Sequence, residues 1–222
     1  MKPMVRQRFR RFVNHVLAAL IALMASAPMV AVHAQAAAAA EGPEQLVLRV
    51  SNDVLNAIKA DKQIQSGDSA RLQKLVDDKV LPNVDFEKMT RLAVGRGWRQ
   101  ATPEQQQILL REFRVLLVRT YAGAVSQVRD HKVQLRPMRA QPTDTDVVVR
   151  TNVVGGQGDP IQLDYRLEKT EAGWKIYDVN VVGVWLIENY KAAFAQAINA
   201  GGIDALIKFI TDRNHSGDAK KS

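Results

Sequence analysis

The chain has 222 residues, and its 31 lysines and arginines exceed its 23 aspartates and glutamates to give a net charge of +8. It contains no cysteine, which excludes disulfides, zinc–thiolate sites, thiol nucleophiles and thiol redox motifs. Basic and acidic residues are interspersed, as in RLQKLVDDK at residues 71–79, so the clustered basic face of a nucleic-acid-binding protein is excluded as well.

The first 34 residues have the features of a secretory signal peptide. Lys2 and four arginines precede an apolar run from Val16 to Val32, and the small residue Ala34 completes a cleavage sequence. We expect cleavage after Ala34 and a location in the periplasm. Cleavage removes five basic residues and no acidic one, which leaves 26 against 23 and a net charge of +3. An uncleaved amino-terminal anchor is the alternative.

Helical spacing of apolar residues follows a flexible, Ala-rich leader at residues 35–43. The pattern predicts three shorter helices and then a long one. The long helix begins with Thr102 as its N-cap, Pro103 in the first turn and Gln105 as the reciprocal partner of a capping box. Its apolar stripe continues to Val128, so we expect this helix to lie across an extended surface.

From His131 onward the apolar period changes from helical to two, which is typical of strands with one buried face. The predicted strands cover residues 132–139, 146–154, 161–168 and 173–182. Short Gly-containing turns join the later strands, so an antiparallel meander is expected. A helix over residues 183–199 should end at Gly201-Gly202, and a last short helix should precede a disordered tail at 213–222.

This order predicts one α+β domain over residues 44–212. It should contain a four-stranded or slightly larger antiparallel sheet wrapped by about six or seven helices. A twisted sheet around a long helix leaves a cone-shaped, NTF2-like interior. Such an interior is either filled by side chains or open to a ligand, and periodicity alone does not distinguish the two.

Side chains suited to catalysis or metal binding are few. After residue 34 the only histidines are His131 and His215, which stand apart in the sequence, so a histidine-based metal site or triad is not expected. Asp178 is flanked by bulky residues in a strand and is the candidate for a buried general base. The alternative is that the strand changes face at a bulge and leaves Asp178 either in water or bonded to a backbone amide. We predict no enzyme, no metal and no cofactor.

Four motifs resemble the MlaC family, also called the toluene-tolerance Ttg2 family. They are Pro-x-x-Asp-Phe from Pro82, Gly-x-x-Trp-x-x-Ala-Thr-x-x-Gln from Gly95, Gly-Trp-Lys-x-x-Asp from Gly173 and Asn-Tyr-x-x-x-Phe from Asn189. Their order along most of the chain is that of the family. Trp185 departs from the family pattern, which has a small polar residue, usually Ser, at that position.

The resemblance implies a non-catalytic periplasmic carrier that holds a glycerophospholipid by its acyl tails. The carrier would pass lipid between an outer-membrane lipoprotein–porin complex and an inner-membrane ABC transporter complex with its MCE subunit, so maintaining outer-membrane lipid asymmetry. We expect a monomer. From its charge, Arg150 is the headgroup candidate. The cavity-lining candidates are Phe86, Met89, Leu92, Trp98, Phe113, Leu117, Tyr121, Val149, Leu163, Tyr165, Trp185, Tyr190 and Phe194.

Two other hypotheses remain from the residues alone. One is an enzyme or binding protein of similar cone-shaped fold for a small apolar molecule, with Asp178 or a tyrosine as the reactive group. The other is a filled core with an adaptor role. A long apolar interior favours the carrier, whereas a small pocket in which Asp178 faces a tyrosine favours the enzyme.

Overall fold

The computed structural model describes residues 41–141, 143–156 and 158–216. The expected signal peptide, most of the leader and the end of the tail lie outside the described residues. Six helices are present in the described part of the chain: α1 (Pro43–Ala60), α2 (Lys62–Gln65), α3 (Ser69–Leu75), α4 (Phe86–Val94), α5 (Pro103–Val125) and α6 (Leu186–Ser216). A π-helical turn (Val76–Val80) and a 3-10 turn (Leu81–Asn83) connect α3 to α4, and a second 3-10 turn (Gly95–Arg99) follows α4.

Side-chain caps explain why several helices begin where they do. Asp61, Asp68 and Asp85 accept hydrogen bonds from free backbone N–H groups of the first turns of α2, α3 and α4. The capping box predicted for the long helix is confirmed, since Thr102 and Gln105 bond reciprocally at the start of α5.

Five antiparallel strands form one open sheet, in the order of the chain. They are β1 (Lys132–Leu135), β2 (Asp146–Val154), β3 (Ile161–Thr170), β4 (Gly173–Val181) and β5 (Val184–Trp185). The predicted α+β class and meander are therefore confirmed. β1 is shorter than expected, and β5 occupies the place where the sequence analysis began the next helix.

The last helical segment agrees with the prediction at its break and differs at its end. Gly201 and Gly202 have non-helical backbone angles, so α6 consists of two helices that meet at a kink, and the predicted break is confirmed. Residues 213–216, expected in the disordered tail, are helical. Asn214 explains this difference, because its buried Nδ2 donates to the backbone oxygen and Oε2 of Glu112 on α5, both at 3.0 Å.

The core consists of three clusters of buried apolar side chains. The largest joins α4, α5 and α6 around Phe113, whose ring centroid lies 5.0 Å from that of Tyr190 and 5.2 Å from that of Phe194. The second packs α1 against the sheet, and the third joins α1, α2, α3 and α5. Within residues 41–216, apart from the two omitted positions, no helix is long and apolar enough to cross a membrane.

Candidate binding site

The domain contains two apolar cavities of about 220 Å³ each, both partly open to the surface. We call the first the α5 cavity; it is lined by Leu72, Val76, Val80, Leu81, Val84, Phe86, Met89, Arg114, Leu117, Val118, Tyr121, Val125, Val179 and Leu186. We call the second the sheet cavity; it is lined by Val50, Ser51, Val54, Leu55, Val80, Val84, Val133, Val153, Leu163, Tyr165, Ile176 and Val179. Val80, Val84 and Val179 belong to both linings, so the two cavities adjoin.

Local structure explains why branched aliphatic side chains line this space. The π-helical turn carries Val76 and Val80, and π turns are frequent at functional sites. On α5, Leu117 and Tyr121 are four residues apart and share one helix face. On β3, Leu163 faces the sheet cavity.

The few polar groups in the two linings include tyrosines that stay uncharged at neutral pH. Burial raises the pKa of Tyr165, and its hydroxyl lies 3.5 Å from Ser51 Oγ. Burial also raises the pKa of Tyr121, with a smaller contribution from Tyr190. Both cavities therefore suit an uncharged, apolar ligand.

A third depression, of about 350 Å³, adjoins the α5 cavity and is lined by charged and polar as well as apolar side chains. We call it the polar groove. It shares Leu81, Phe86 and Arg114 with the α5 cavity. The remaining lining residues are Glu87, Gln107, Leu110 and Arg111. An apolar interior thus continues into a charged surface region beside α5.

The structure places six of the thirteen cavity-lining candidates in these linings. Phe86, Met89, Leu117 and Tyr121 line the α5 cavity, and Leu163 and Tyr165 line the sheet cavity. Lipid binding by these residues remains a prediction.

The other seven candidates line neither cavity. Trp98, Phe113, Tyr190 and Phe194 fill the aromatic cluster, and Leu92 packs against it. Val149 packs in the cluster between α1 and the sheet. Large rings fill space by stacking on one another, so they complete the core instead of leaving it open.

Trp185 and Arg150 are also away from the cavities. Trp185 lies under the guanidinium of Arg166, whose Cζ is 4.0 Å from the ring centroid. On β2, Arg150 alternates with the buried Val149 and Thr151, so its side chain projects from the opposite face of the sheet. Arg150 is not a lining residue of either cavity or of the polar groove, and its contact with a headgroup remains a prediction.

Asp178 is bound into the protein framework. The pairing register of β3 with β4 shifts between Arg166 and Leu167, and this shift leaves Tyr177 on β4 as the extra residue of a β-bulge. The buried Asp178 carboxylate accepts backbone N–H bonds from Val179 at 2.9 Å and Ile187 at 3.1 Å, and Arg166 Nη1 lies 3.0 Å from its other oxygen. Burial raises the pKa of Asp178, and the bonds from Ile187 and Arg166 oppose that rise. The alternative of a bulge with a backbone-bonded carboxylate is confirmed.

Most lining residues that the sequence analysis did not name are valines. A signal was available, because Val76, Val80 and Val84 recur every four residues across the turn before α4. Arg114 was also missed, since it interrupts the apolar face of α5 and resembles an ordinary surface charge. In the portion of the chain that the structure describes, no group of three His, Asp or Glu residues is placed to hold a metal ion.

Comparison with known proteins agrees with the fold. A family model described as MlaC protein matches residues 48–212. A phospholipid-binding protein from Ralstonia solanacearum, solved in complex with a phospholipid, has 46% identity and a TM-score of 0.75 over 78% of this chain and 97% of that one.

Two curated relatives are more distant in sequence. The intermembrane phospholipid transport system binding protein MlaC of Haemophilus influenzae is 25% identical over 174 residues, 77% of this chain and 81% of the relative. The toluene tolerance protein ttg2D of Pseudomonas putida is 25% identical over 186 residues, 83% of each chain. Since the family match spans most of the chain from α1 to α6, this chain belongs to the MlaC protein family.

Proposed function

We propose that this protein is a periplasmic carrier of glycerophospholipids, with acyl tails held in the α5 and sheet cavities. The observation that carries the proposal is the pair of adjoining cavities with almost wholly apolar linings. The Ralstonia solanacearum relative, which was solved with a phospholipid, supports the same ligand class.

The physical requirement for such cavities is large. Transfer of two tails with roughly 30 methylenes from an apolar environment into water costs on the order of 24 kcal/mol of free energy, at about 0.8 kcal/mol for each methylene. A carrier must therefore enclose them. Because the bilayer that the lipid leaves provides a similar environment, apolar walls without specific polar contacts are sufficient for the tails.

We propose a non-catalytic role in lipid transport between membranes. The relatives are named as binding and transport proteins, and Asp178, the candidate base, lines neither cavity. The proposed partners are an outer-membrane lipoprotein–porin complex and an inner-membrane ABC transporter complex with its MCE subunit. The proposed consequence is maintenance of outer-membrane lipid asymmetry by a monomeric carrier.

Native mass spectrometry of residues 35–222, purified without detergent, tests this function. The expected result is a stoichiometric adduct with the mass of a phospholipid, identified by extraction of the same sample. A protein that is free of lipid, and stays so after incubation with phospholipid vesicles, would contradict the carrier function.

A further inference from the structure

The face of the sheet that points away from both cavities carries a row of arginines and a tryptophan. Arg136, just after β1, donates its backbone N–H to the Arg150 carbonyl at 2.8 Å, so the two residues lie opposite each other. Arg150 on β2 pairs with Asp164, two residues before Arg166 on β3, so Arg150 and Arg166 project from the same face. The Arg166 guanidinium stacks on the ring of Trp185 from β5. We call Arg136, Arg150, Arg166 and Trp185 the arginine face.

The acidic residues in this row are buried beneath the arginines. Asp164 Oδ1 lies 3.9 Å from Arg136 Nη1, and Asp178 Oδ2 lies 3.0 Å from Arg166 Nη1. The side chains of Asp164 and Asp178 are 10% and 0% exposed, whereas those of Arg136 and Arg166 are 40% and 32% exposed. The face therefore presents guanidinium groups to solvent, while the carboxylates below hold them in place.

Arg150 has no such carboxylate of its own. Among the described residues its guanidinium makes no hydrogen bond and no ion pair, although it lies between Arg136 and Asp164. Like charges directly opposite each other on neighbouring strands are destabilising, so the Arg136–Arg150 pair lowers the stability of the sheet. An external anion between the two guanidinium groups would remove this repulsion.

The chemistry of the face favours a protein as the source of that anion. Arginine and tryptophan are enriched among the residues that dominate protein–protein binding, and a guanidinium donates two parallel N–H bonds to a carboxylate. Adsorption to an anionic bilayer uses clusters of about four to eight basic residues. Here Asp146 and Glu168, which pair with each other on β2 and β3, add negative charge to the same face and oppose anionic headgroups.

We infer that the arginine face is a docking surface for a protein partner that presents carboxylates. Arg136 and Arg150 share one carboxylate, and Trp185 supplies the apolar part of the contact. This inference rests on the proposed function, which gives the carrier a protein complex as partner at each membrane. Because the face lies on the opposite side of the sheet from the cavities, docking leaves the lipid space unoccupied. Charge pairing of this kind speeds association, as a transient shuttle requires.

The test measures docking and lipid content separately. Residues 35–222 of the wild type and of Arg150→Gln are titrated by biolayer interferometry against each of the two proposed partner complexes, purified in nanodiscs. At least one complex should bind the wild type. Arg150→Gln should raise the Kd at least about tenfold, the size of one charge-assisted hydrogen bond. Added salt should weaken binding of the wild type more than that of the variant. Native mass spectrometry should show the same lipid content for both.

A matched control and the melting temperature separate docking from folding. Arg99→Gln makes the same change at an exposed arginine of the 3-10 turn after α4 and should bind as the wild type does. Arg150→Gln breaks no bond and removes the repulsion from Arg136, so its melting temperature should equal or exceed that of the wild type. A lower melting temperature would show that Arg150 serves the fold, and the docking role would be overturned.

A carbodiimide cross-link tests the carboxylate directly. Arg150→Lys keeps the charge and supplies an amine, which forms an amide with a carboxylate that carbodiimide has activated. With the bound complex, mass spectrometry should identify a peptide that joins this lysine to an aspartate or glutamate of the partner. A cross-link to Asp164 alone would show that no external carboxylate is within reach, and the inference would be wrong.

The outcomes distinguish the docking surface from the function on which it rests. A wild type that carries no phospholipid contradicts the carrier function. A lipid-loaded wild type that binds neither complex, or whose affinity Arg150→Gln leaves unchanged, contradicts the docking surface alone. If the wild type binds phosphatidylglycerol vesicles and Arg150→Gln abolishes that binding, the face contacts lipid, and docking to a protein is overturned.

Discussion

The Asp178 carboxylate accepts the backbone N–H of Ile187 at 3.1 Å, which ties the bulged strand β4 to the first turn of α6. The same oxygen accepts the Val179 N–H, and the other oxygen pairs with Arg166. Because Leu186 in this turn lines the α5 cavity, Asp178 positions part of the cavity wall and is not itself a lining residue.

Substitutions at Asp178 should therefore affect stability in a defined order. Asp178→Ala leaves two N–H groups and a guanidinium without their partner, so it should lower the free energy of unfolding by about 3–5 kcal/mol. Asp178→Asn keeps an oxygen for both N–H groups and loses only the Arg166 pair, so its cost should be about 1–3 kcal/mol. Urea denaturation measures both. Equal costs would contradict a role for the two backbone bonds.

We predict that each of the two cavities holds one acyl tail. Leu117→Trp fills the α5 cavity and Val54→Trp fills the sheet cavity. Each should lower binding of a two-tailed phospholipid at least about tenfold, since one tail would remain in water. A single-tailed lysophospholipid should bind to either single variant and be lost only in the double variant. Binding is measured by native mass spectrometry.

Val184→Trp is the control for these cavity-filling substitutions, because Val184 is exposed and lines neither cavity. It should bind both lipids as the wild type does. Loss of lysophospholipid from Leu117→Trp alone would show that a single tail requires the α5 cavity, and the assignment of one equivalent tail to each cavity would be wrong.

Much of the fold could be predicted from the sequence because its signals are local. The capping box of Thr102 and Gln105 fixes the start of α5. The alternation in β3 correctly places Leu163, Tyr165 and Leu167 towards the interior, but Ile161 is exposed and Asp164 is buried, contrary to the pattern. The bulge at Tyr177 was foreseen only as an alternative, since the register of β4 depends on its pairing with β3.

The site was harder to predict, because periodicity shows which face is buried and not whether the facing space is filled. Phe113 and Phe194 are fully buried by contact with each other, while the valines shared by both cavities leave room beside them. Burial by periodicity therefore does not separate the large side chains of the core from those beside open space. The environment of Arg114 could not be predicted from the sequence, because its buried Nε and its hydrogen bond to Asp77 depend on residues far apart in the chain.

Tyr177 should control stability at high pH. Its hydroxyl donates to Asp146 at 2.9 Å, and Lys88 Nζ lies 3.9 Å from its ring centroid. Burial, with a further contribution from Asp146, raises the pKa of Tyr177 from 10 to about 12. The folded state thus holds this proton more tightly than the unfolded state. The resulting stability is complete below pH 10 and is lost as pH rises towards 12, with a loss of about 1–3 kcal/mol.

Urea denaturation at several alkaline pH values tests this dependence. Tyr177→Phe should be less stable than the wild type below pH 10 and should lose less stability between pH 10 and 12. Ultraviolet titration of the folded protein should show that the variant lacks an ionisation near pH 12. Parallel stability curves for the two proteins would contradict the assignment.

The kink in α6 should depend on Gly202. Its φ of +72° with ψ of −160° lies in a region that residues with a Cβ rarely adopt, so Gly202→Ala should cost about 1–3 kcal/mol. Gly123, within α5, has open space around its missing Cβ, and Gly123→Ala should instead stabilise by about 0.5–1 kcal/mol. Thermal unfolding should move the melting temperature in opposite directions for the two variants. A stabilising Gly202→Ala would mean that the helix runs through residue 202 without the kink.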